Sequence, residues 1–258
     1  MQRIQKKWSL TVGAPFPDAT CAWVAVADLP GGPSAVLKIP LPHMEAADEA
    51  DGLRFWNGEP TVQLLDFDRE SGAMLVERCR PGMPLHALPE SEQDEVIAGL
   101  LRRSWRRPVM PHPFRPLSAM IESWCAETRA DENRWADAGL VHAGLTSFDE
   151  LLSSAGSSDA VLLMTDLHAG NVLQAEREPW LVIDPKPFIG DRAYDATQHL
   201  LNCRERLRTD PNGTITRLSD LLGVDPERVR LWTFARAAAE PRDDWNGDLT
   251  SLARLLAP

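Results

Sequence analysis

A chain of 258 residues with 43% hydrophobic content is long enough for one large domain or two lobes with a sizeable core. Its 27 basic and 38 acidic residues leave a net charge of −11, which argues against a nucleic-acid partner and permits a cationic substrate without pointing to one. Cys21, Cys79, Cys125 and Cys203 form no C-x-x-C pair, and no apolar run reaches membrane-spanning length, so reduced thiols in a cytoplasmic protein without membrane contact are expected.

The first third reads as short strands and turns. Trp23–Ala27 and Ala35–Ile39 are apolar runs separated by Leu29-Pro30-Gly31-Gly32-Pro33, which predicts a hairpin. Residues 43–56 have helical spacing, with Glu45, Glu49, Leu53 and Trp56 on one stripe. Val62–Phe67 and Ala73–Glu77 alternate around Arg69-Glu70-Ser71-Gly72 and predict a second hairpin. Arg80-Pro81-Gly82 marks a hinge. Beyond it, helices are predicted over 91–105, 117–138, 146–155, 193–207, 214–222, 226–239 and 248–256, with Asp225-Pro226 a strong helix start.

Between these helices lies VLLMTDLHAGNVLQAEREPWLVID. Asp166, His168 and Asn171 fall in a short polar loop after Val161–Met164, and a second apolar run, Trp180–Ile183, delivers Asp184. If the two runs pair around a turn at Glu176–Pro179, Asn171 and Asp184 come together at one end. Two hard oxygen ligands with a nearby carboxylate suit phosphoryl transfer: the ligands hold Mg²⁺ on a nucleotide, and the carboxylate orients an acceptor hydroxyl.

The D-x4-N spacing from Asp166 to Asn171, followed by an Asp after a strand, resembles the catalytic and metal-binding segments of protein-kinase-like enzymes. The strings AEREPWLVIDPKPFIGDRAYD and LLDFDRESGAMLVER look like the aminoglycoside phosphotransferase family, in its streptomycin 6-phosphotransferase and hydroxyurea phosphotransferase branch. The resemblance implies an α+β, bilobal protein-kinase-like fold. It has a small antiparallel N-lobe with one helix over 1–78 and a mostly helical C-lobe over 79–258. It implies an ATP- (or GTP-) and Mg²⁺-dependent kinase of a small hydroxylated, cationic acceptor such as streptomycin, conferring antibiotic resistance, as a monomer or weak dimer. Asp166 would be the catalytic base and Asn171 and Asp184 the Mg²⁺ ligands. Lys38, paired with Glu49 (or Glu45, one turn earlier), would position the phosphates, and the backbone of Glu77 to Cys79 would meet the purine. Asp195 would support the catalytic loop, His168 would make a structural hydrogen bond within it, and Lys186 would be a counter-charge to Asp184.

The chain departs from the family's usual pattern at two points. Met164-Thr165 stands where His-Gly ordinarily precedes the catalytic Asp, and GAPFPDATCA, where a phosphate-covering loop is expected near Asp18–Cys21, is poor in glycine. For the acceptor, Glu240, Asp243, Asp244 and Asp248 cluster around Trp245, and carboxylates with a stacking Trp245 or Trp232 would hold a polycation. Each residue also has a plain reading. Asp166 would cap a turn, Asn171 and Asp184 would be polar strand ends, Lys38 would face solvent, and the acidic cluster would be a solvated helix start. Three further functions fit less well: a kinase-like nucleotide-binding protein without catalysis, a kinase of another hydroxylated metabolite or hydroxyurea, and a metal-dependent phosphohydrolase.

Overall fold

The computed structural model describes residues 1–17, 19, 21–41, 44–45, 47–154 and 159–258. From the N-terminus the chain forms α1 (Gln2–Trp8), β1 (Thr11–Pro15), β2 (Ala22–Asp28), β3 (Ser34–Pro40), α2 (Glu49–Trp56), β4 (Leu64–Asp68) and β5 (Ala73–Glu77). There follow α3 (Glu90–Ser104), α4 (Leu117–Ala130), α5 (Ala138–Ser154), β6 (Val161–Leu163), β7 (Val172–Gln174), β8 (Trp180–Val182) and β9 (Phe188–Gly190). The chain ends in α6 (Arg192–Asn202), α7 (Arg204–Thr209), α8 (Pro211–Leu222), α9 (Pro226–Ala239) and α10 (Asp248–Leu256). The residues group into two compact units, Met1–Ala87 with Gly170–Lys186, and Leu88–Ala169 with Pro187–Pro258. The β7–β8 hairpin, late in the sequence, thus groups with the N-terminal residues.

In the first unit the strands order β1-β2-β3-β5-β4, antiparallel throughout. Period-2 alternation assigns their side chains to two faces. Ala35, Leu37, Ala73 and Leu75 join Ile4 and Leu10 beneath α1, while Val36, Met74 and Val76 pack with Ala50 and Leu53 of α2 and Leu181 of β8. Gly31 and Gly72, at φ +65° and +71°, supply the left-handed turn residues that the two hairpins need. Asp68 at the end of β4 accepts from Lys7 (2.7 Å) and the Ser71 hydroxyl (2.6 Å) and pairs with Arg3, tying α1 to the sheet. Val62 and Val182 anchor the β7–β8 hairpin, Val62 N donating to Val182 O and Val182 N to Pro60 O, each at 3.0 Å.

The second unit is helical, with the short β6–β9 pair at its centre of sequence. Helix α9 is enclosed over its C-terminal half, where Trp232, Phe234 and Ala237–Ala239 are buried, while Glu227, Arg228 and Arg230 lie on its more accessible first turns. Its close neighbour α5 carries Gly144, where an added Cβ would lie 2.7 Å from the Ala238 Cβ. The helix predicted over 117–138 ends at Ala130, and the one over 146–155 begins at Ala138 instead. The run 193–207 breaks at Cys203 into α6 and α7. The predicted helix over 43–56 starts only at Glu49; Met44 and Glu45 lie in a turn, and His43 and Ala46 lie outside the described residues.

Asp94, fully buried on α3, joins four helices. Arg206 of α7 donates to both its oxygens at 2.7 Å, Arg217 of α8 donates at 3.1 Å, and His199 of α6 lies 2.9 Å away. Burial pushes its carboxyl up, but the bonds from His199 and Arg206 outweigh that and hold it at about 2. Such a group contributes stability above the ordinary carboxylate range that is lost as pH falls through its folded value. Asp94→Ala is therefore expected to cost about 3 kcal/mol at neutral pH, because it leaves guanidinium groups without their buried partner. In thermal melts the gap to wild type is expected to narrow between pH values of about 4 and about 2.

Candidate active site

Four charged side chains meet within the first unit. Lys38 lies on β3 between Val24 of β2 and Met74 of β5, on the face that packs against α2. It is 8% exposed, and Glu49, in the first turn of α2, is 2% exposed. The Lys38 Nζ donates to Glu49 Oε1 and Oε2 at 2.6 and 2.7 Å and to Asp184 Oδ1 at 2.5 Å. Lys186 Nζ donates to the same Asp184 oxygen. Two ammonium groups thus face two carboxylates, and mutual compensation makes the burial tolerable. Burial pushes the Glu49 carboxyl up despite Lys38. At Asp184 burial acts in the same direction, but Lys38 and Lys186 outweigh it and hold the carboxyl below its ordinary value.

Asp184 follows β8 with φ +55°, a left-handed conformation that Asp tolerates better than most residues. Strand register explains its neighbour: Val172 pairs with Val182, and Ile183 N donates to the Asn171 carbonyl at 2.9 Å. Asn171 and Asp184 therefore flank the same end of the hairpin. A carboxylate and an amide oxygen are hard donors, and Mg²⁺ is commonly held by one or two protein oxygens together with nucleotide phosphates. Asp184 already draws two ammonium groups to one oxygen, so the donor set and its charge preference fit a divalent cation.

Asp166 belongs to the second unit, in the loop after β6. The buried Asp195 of α6 fixes that loop by accepting from Thr165 N at 2.8 Å, from Met164 N at 3.2 Å and from Trp105 Nε1 at 2.8 Å. Burial pushes the Asp195 carboxyl up to about 6 in spite of those donors. Thr165 turns the chain at φ +47°, and Asp166 N donates to Met164 O. Met164 and Thr165 are both buried, so the two residues that depart from the usual His-Gly serve packing and a tight turn. The Asp166 Oδ1 accepts from Gln198 Nε2 at 2.7 Å, and His168 sits half-buried two residues on.

Among the other expected site residues, Glu77 N donates to Gln63 O at 2.9 Å and its carboxylate pairs with Arg177 at 2.8 Å, which fixes the end of β5. Cys79 packs against the α2-side cluster, and burial pushes its thiol up to about 11. Trp245 is 4% exposed and Arg242 lies 4.6 Å from its ring centre, while Trp232 is fully buried, so neither ring offers a face to a substrate. That stacking role is withdrawn. Glu240 is bound to Arg236 at 2.9 Å and the exposed Asp248 to Arg208 at 2.8 Å, and Asp243 and Asp244 are also exposed. Asp18 and Thr20, in the expected phosphate-covering loop, lie outside the described residues.

The profile of the aminoglycoside/hydroxyurea antibiotic resistance kinase family matches residues 7–243. The chain belongs to this family. A hydroxyurea phosphotransferase of Kitasatospora aureofaciens is 35% identical over 90% of this chain and 68% of its own length. A streptomycin 6-kinase of Streptomyces glaucescens is 33% identical over 92% of this chain and 79% of its own. Among solved structures, a choline kinase from Streptococcus pneumoniae superposes with a TM-score of 0.68 at 13% identity, covering 99% of this chain and 98% of that one. A thermostable aminoglycoside phosphotransferase mutant, solved with ADP and hygromycin B, gives 0.60 at 17% identity over 100% and 98%. The fold of this antibiotic resistance kinase is thus protein-kinase-like, as the α+β expectation had it.

Two residues in contact with the candidate site of this kinase family member escaped the sequence reading. Gln198 carries no motif and reaches Asp166 across 32 positions. Arg236 left a usable signal: it is the lone charge in Thr233-Phe234-Ala235-Arg236-Ala237-Ala238-Ala239, and an arginine in such an enclosed helix has to be paired.

Proposed function

We propose that this protein is an ATP-dependent kinase that transfers the γ-phosphoryl group to a hydroxyl of a streptomycin-like aminoglycoside, and so confers resistance to it. The observation that carries the reading is the Lys38 ammonium, buried on a strand and shared between Glu49 and Asp184. A desolvated charge held by two carboxylates suits a role in positioning phosphates, because Glu49 fixes the amine while it faces an incoming anion. Asn171 and Asp184 would hold Mg²⁺, which when bound neutralises charge on the phosphates. ATP use puts the reaction in the cytoplasm, on a small hydroxylated and cationic acceptor.

Asp166 would orient the acceptor hydroxyl. As the acceptor oxygen bonds to the γ-phosphorus, the bond from that phosphorus to the β–γ bridging oxygen breaks and ADP departs. The hydroxyl proton passes to the Asp166 carboxylate. The transition state is loose, so positioning matters more than basicity. Asp195 contributes by fixing the backbone that carries Asp166.

The hydroxyurea phosphotransferase relative supports a second acceptor, hydroxyurea. Transfer of label from [γ-³²P]ATP to a panel of aminoglycosides, hydroxyurea, choline and small polyols separates the two. Labelled streptomycin is the expected product. Labelled hydroxyurea alone would replace the acceptor, and nucleotide binding without product on any acceptor would reduce the protein to a nucleotide binder.

A further inference from the structure

We infer that Gln198 and Arg236 form a positioning relay that sets the orientation of the Asp166 carboxylate. The inference rests on the reading of Asp166 as the base. Gln198 Nε2 donates to Asp166 Oδ1 at 2.7 Å, and Gln198 Oε1 accepts from Arg236 Nη2 at 2.7 Å. An amide side chain can present either end to a carboxylate environment, but a guanidinium only donates. Arg236 therefore obliges the Gln198 oxygen to face it, and the NH₂ end must then face Asp166.

Arg236 is itself held on every side. It is 4% exposed, donates to Glu240 at 2.9 Å and to Thr197 Oγ1 at 2.8 Å, and lies over the rings of Trp124 and Tyr194 at 5.4 and 5.3 Å. Burial disfavours its charge, yet Glu240 first and then Tyr194 outweigh that and hold it protonated. A fixed cation thus polarises an amide, and the polarised amide holds one oxygen of the base. Helices α6 and α9 supply Gln198 and Arg236, so the orientation of the carboxylate is set by helices and not by its own loop alone. A bond of this kind counts most when the reacting geometry must be met within fractions of an ångström.

Gln198→Glu and Gln198→Leu are near-isosteric and test the relay with the whole chain. The ionisable groups bearing on position 198 are Asp166 and Arg236, with Glu240 and Tyr194 behind the latter. An introduced carboxylate keeps the Arg236 contact but turns a negative oxygen toward Asp166. At neutral pH both variants are expected to lose roughly 10- to 100-fold in kcat with KM for ATP unchanged. For Gln198→Glu the deficit relative to wild type is expected to shrink as pH falls and the introduced carboxyl regains a proton to donate; for Gln198→Leu it stays constant. In an Asp166→Asn background, Gln198→Leu is expected to add little, since no base remains to orient. Wild-type kcat in both variants would overturn the relay. So would losses that track thermal stability with the same pH profile in both. If Asp166→Asn itself keeps full activity, the reading of Asp166 fails instead, whatever the variants at 198 show.

Discussion

Asp166→Asn is expected to lower kcat by roughly 10²–10⁴-fold while leaving the affinity for ATP nearly unchanged. The substitution keeps the side-chain shape, and the retained oxygen can still accept from Gln198 Nε2, so the loop and its Asp195 anchor are left intact. What disappears is the second carboxylate oxygen and its negative charge, the only features a hydroxyl needs from the base. Single-turnover rates with saturating acceptor, set beside nucleotide titrations and a thermal melt, distinguish the cases. A parallel loss of ATP binding and melting temperature would make Asp166 a structural residue. An unchanged rate would remove it from the reaction.

Lys38→Met is expected to lower kcat by roughly 10²–10³-fold, because a preorganised cation near developing phosphate charge is lost. Glu49→Gln is expected to cost less, since Glu49 acts only through the amine. Their double mutant should match Lys38→Met closely, with a coupling of at least about 1 kcal/mol. Strict additivity would dissolve the pair. The stability of Lys38→Met has its own pH signature. Burial already pushes the Glu49 carboxyl upward, and without the Lys38 ammonium only the weaker pull of Lys186 opposes it, while Asp184 adds to the rise. A carboxyl whose folded value is raised is most stabilising at low pH and loses that contribution as pH rises through the folded value. Lys38→Met should therefore lose melting temperature relative to wild type as pH is raised above the ordinary carboxylate range.

Four of the five strands of the sheet were legible because their alternation is a local, period-2 signal bounded by glycine turns, and β5 spans Ala73–Glu77 as the pattern has it. Strand β1, Thr11–Pro15, was not, because its segment runs into the expected phosphate-covering loop. Asn171 does meet Asp184, but not through the expected pairing of Val161–Met164 with Trp180–Ile183: β6 pairs with β9, and β8 pairs with Val172–Gln174, a three-residue strand too short to stand out in the sequence. Helix ends were less legible. The run 117–138 contains no proline or glycine to show where α4 stops, and the break at Cys203 has no breaker residue. Helix α1 was missed because seven residues with three charges carry little periodicity, and its stability comes from Asp68, 61 positions away from Lys7. The acidic cluster misled for a related reason. A string of carboxylates shows charge but not its partners: Arg236, one turn back on α9, binds Glu240, Arg208 arrives from α7 to bind Asp248, and Arg242, three residues before Trp245, covers its ring.

The order in which the two units are completed during synthesis is not the order in which they begin. The first unit opens at Met1, yet its sheet-side core includes Leu181, and Val62 takes its partner from Val182. A nascent chain that has reached Ala87 therefore holds a sheet whose α2 face still lacks its cover. At roughly 5–20 residues per second, several seconds of translation separate that point from the emergence of β8. During this interval Leu88–Ala169 has already left the ribosome, as the opening part of a second unit that waits for Pro187–Pro258. No continuous fragment of this chain contains either unit whole without part of the other, so neither can be cut free at a single bond.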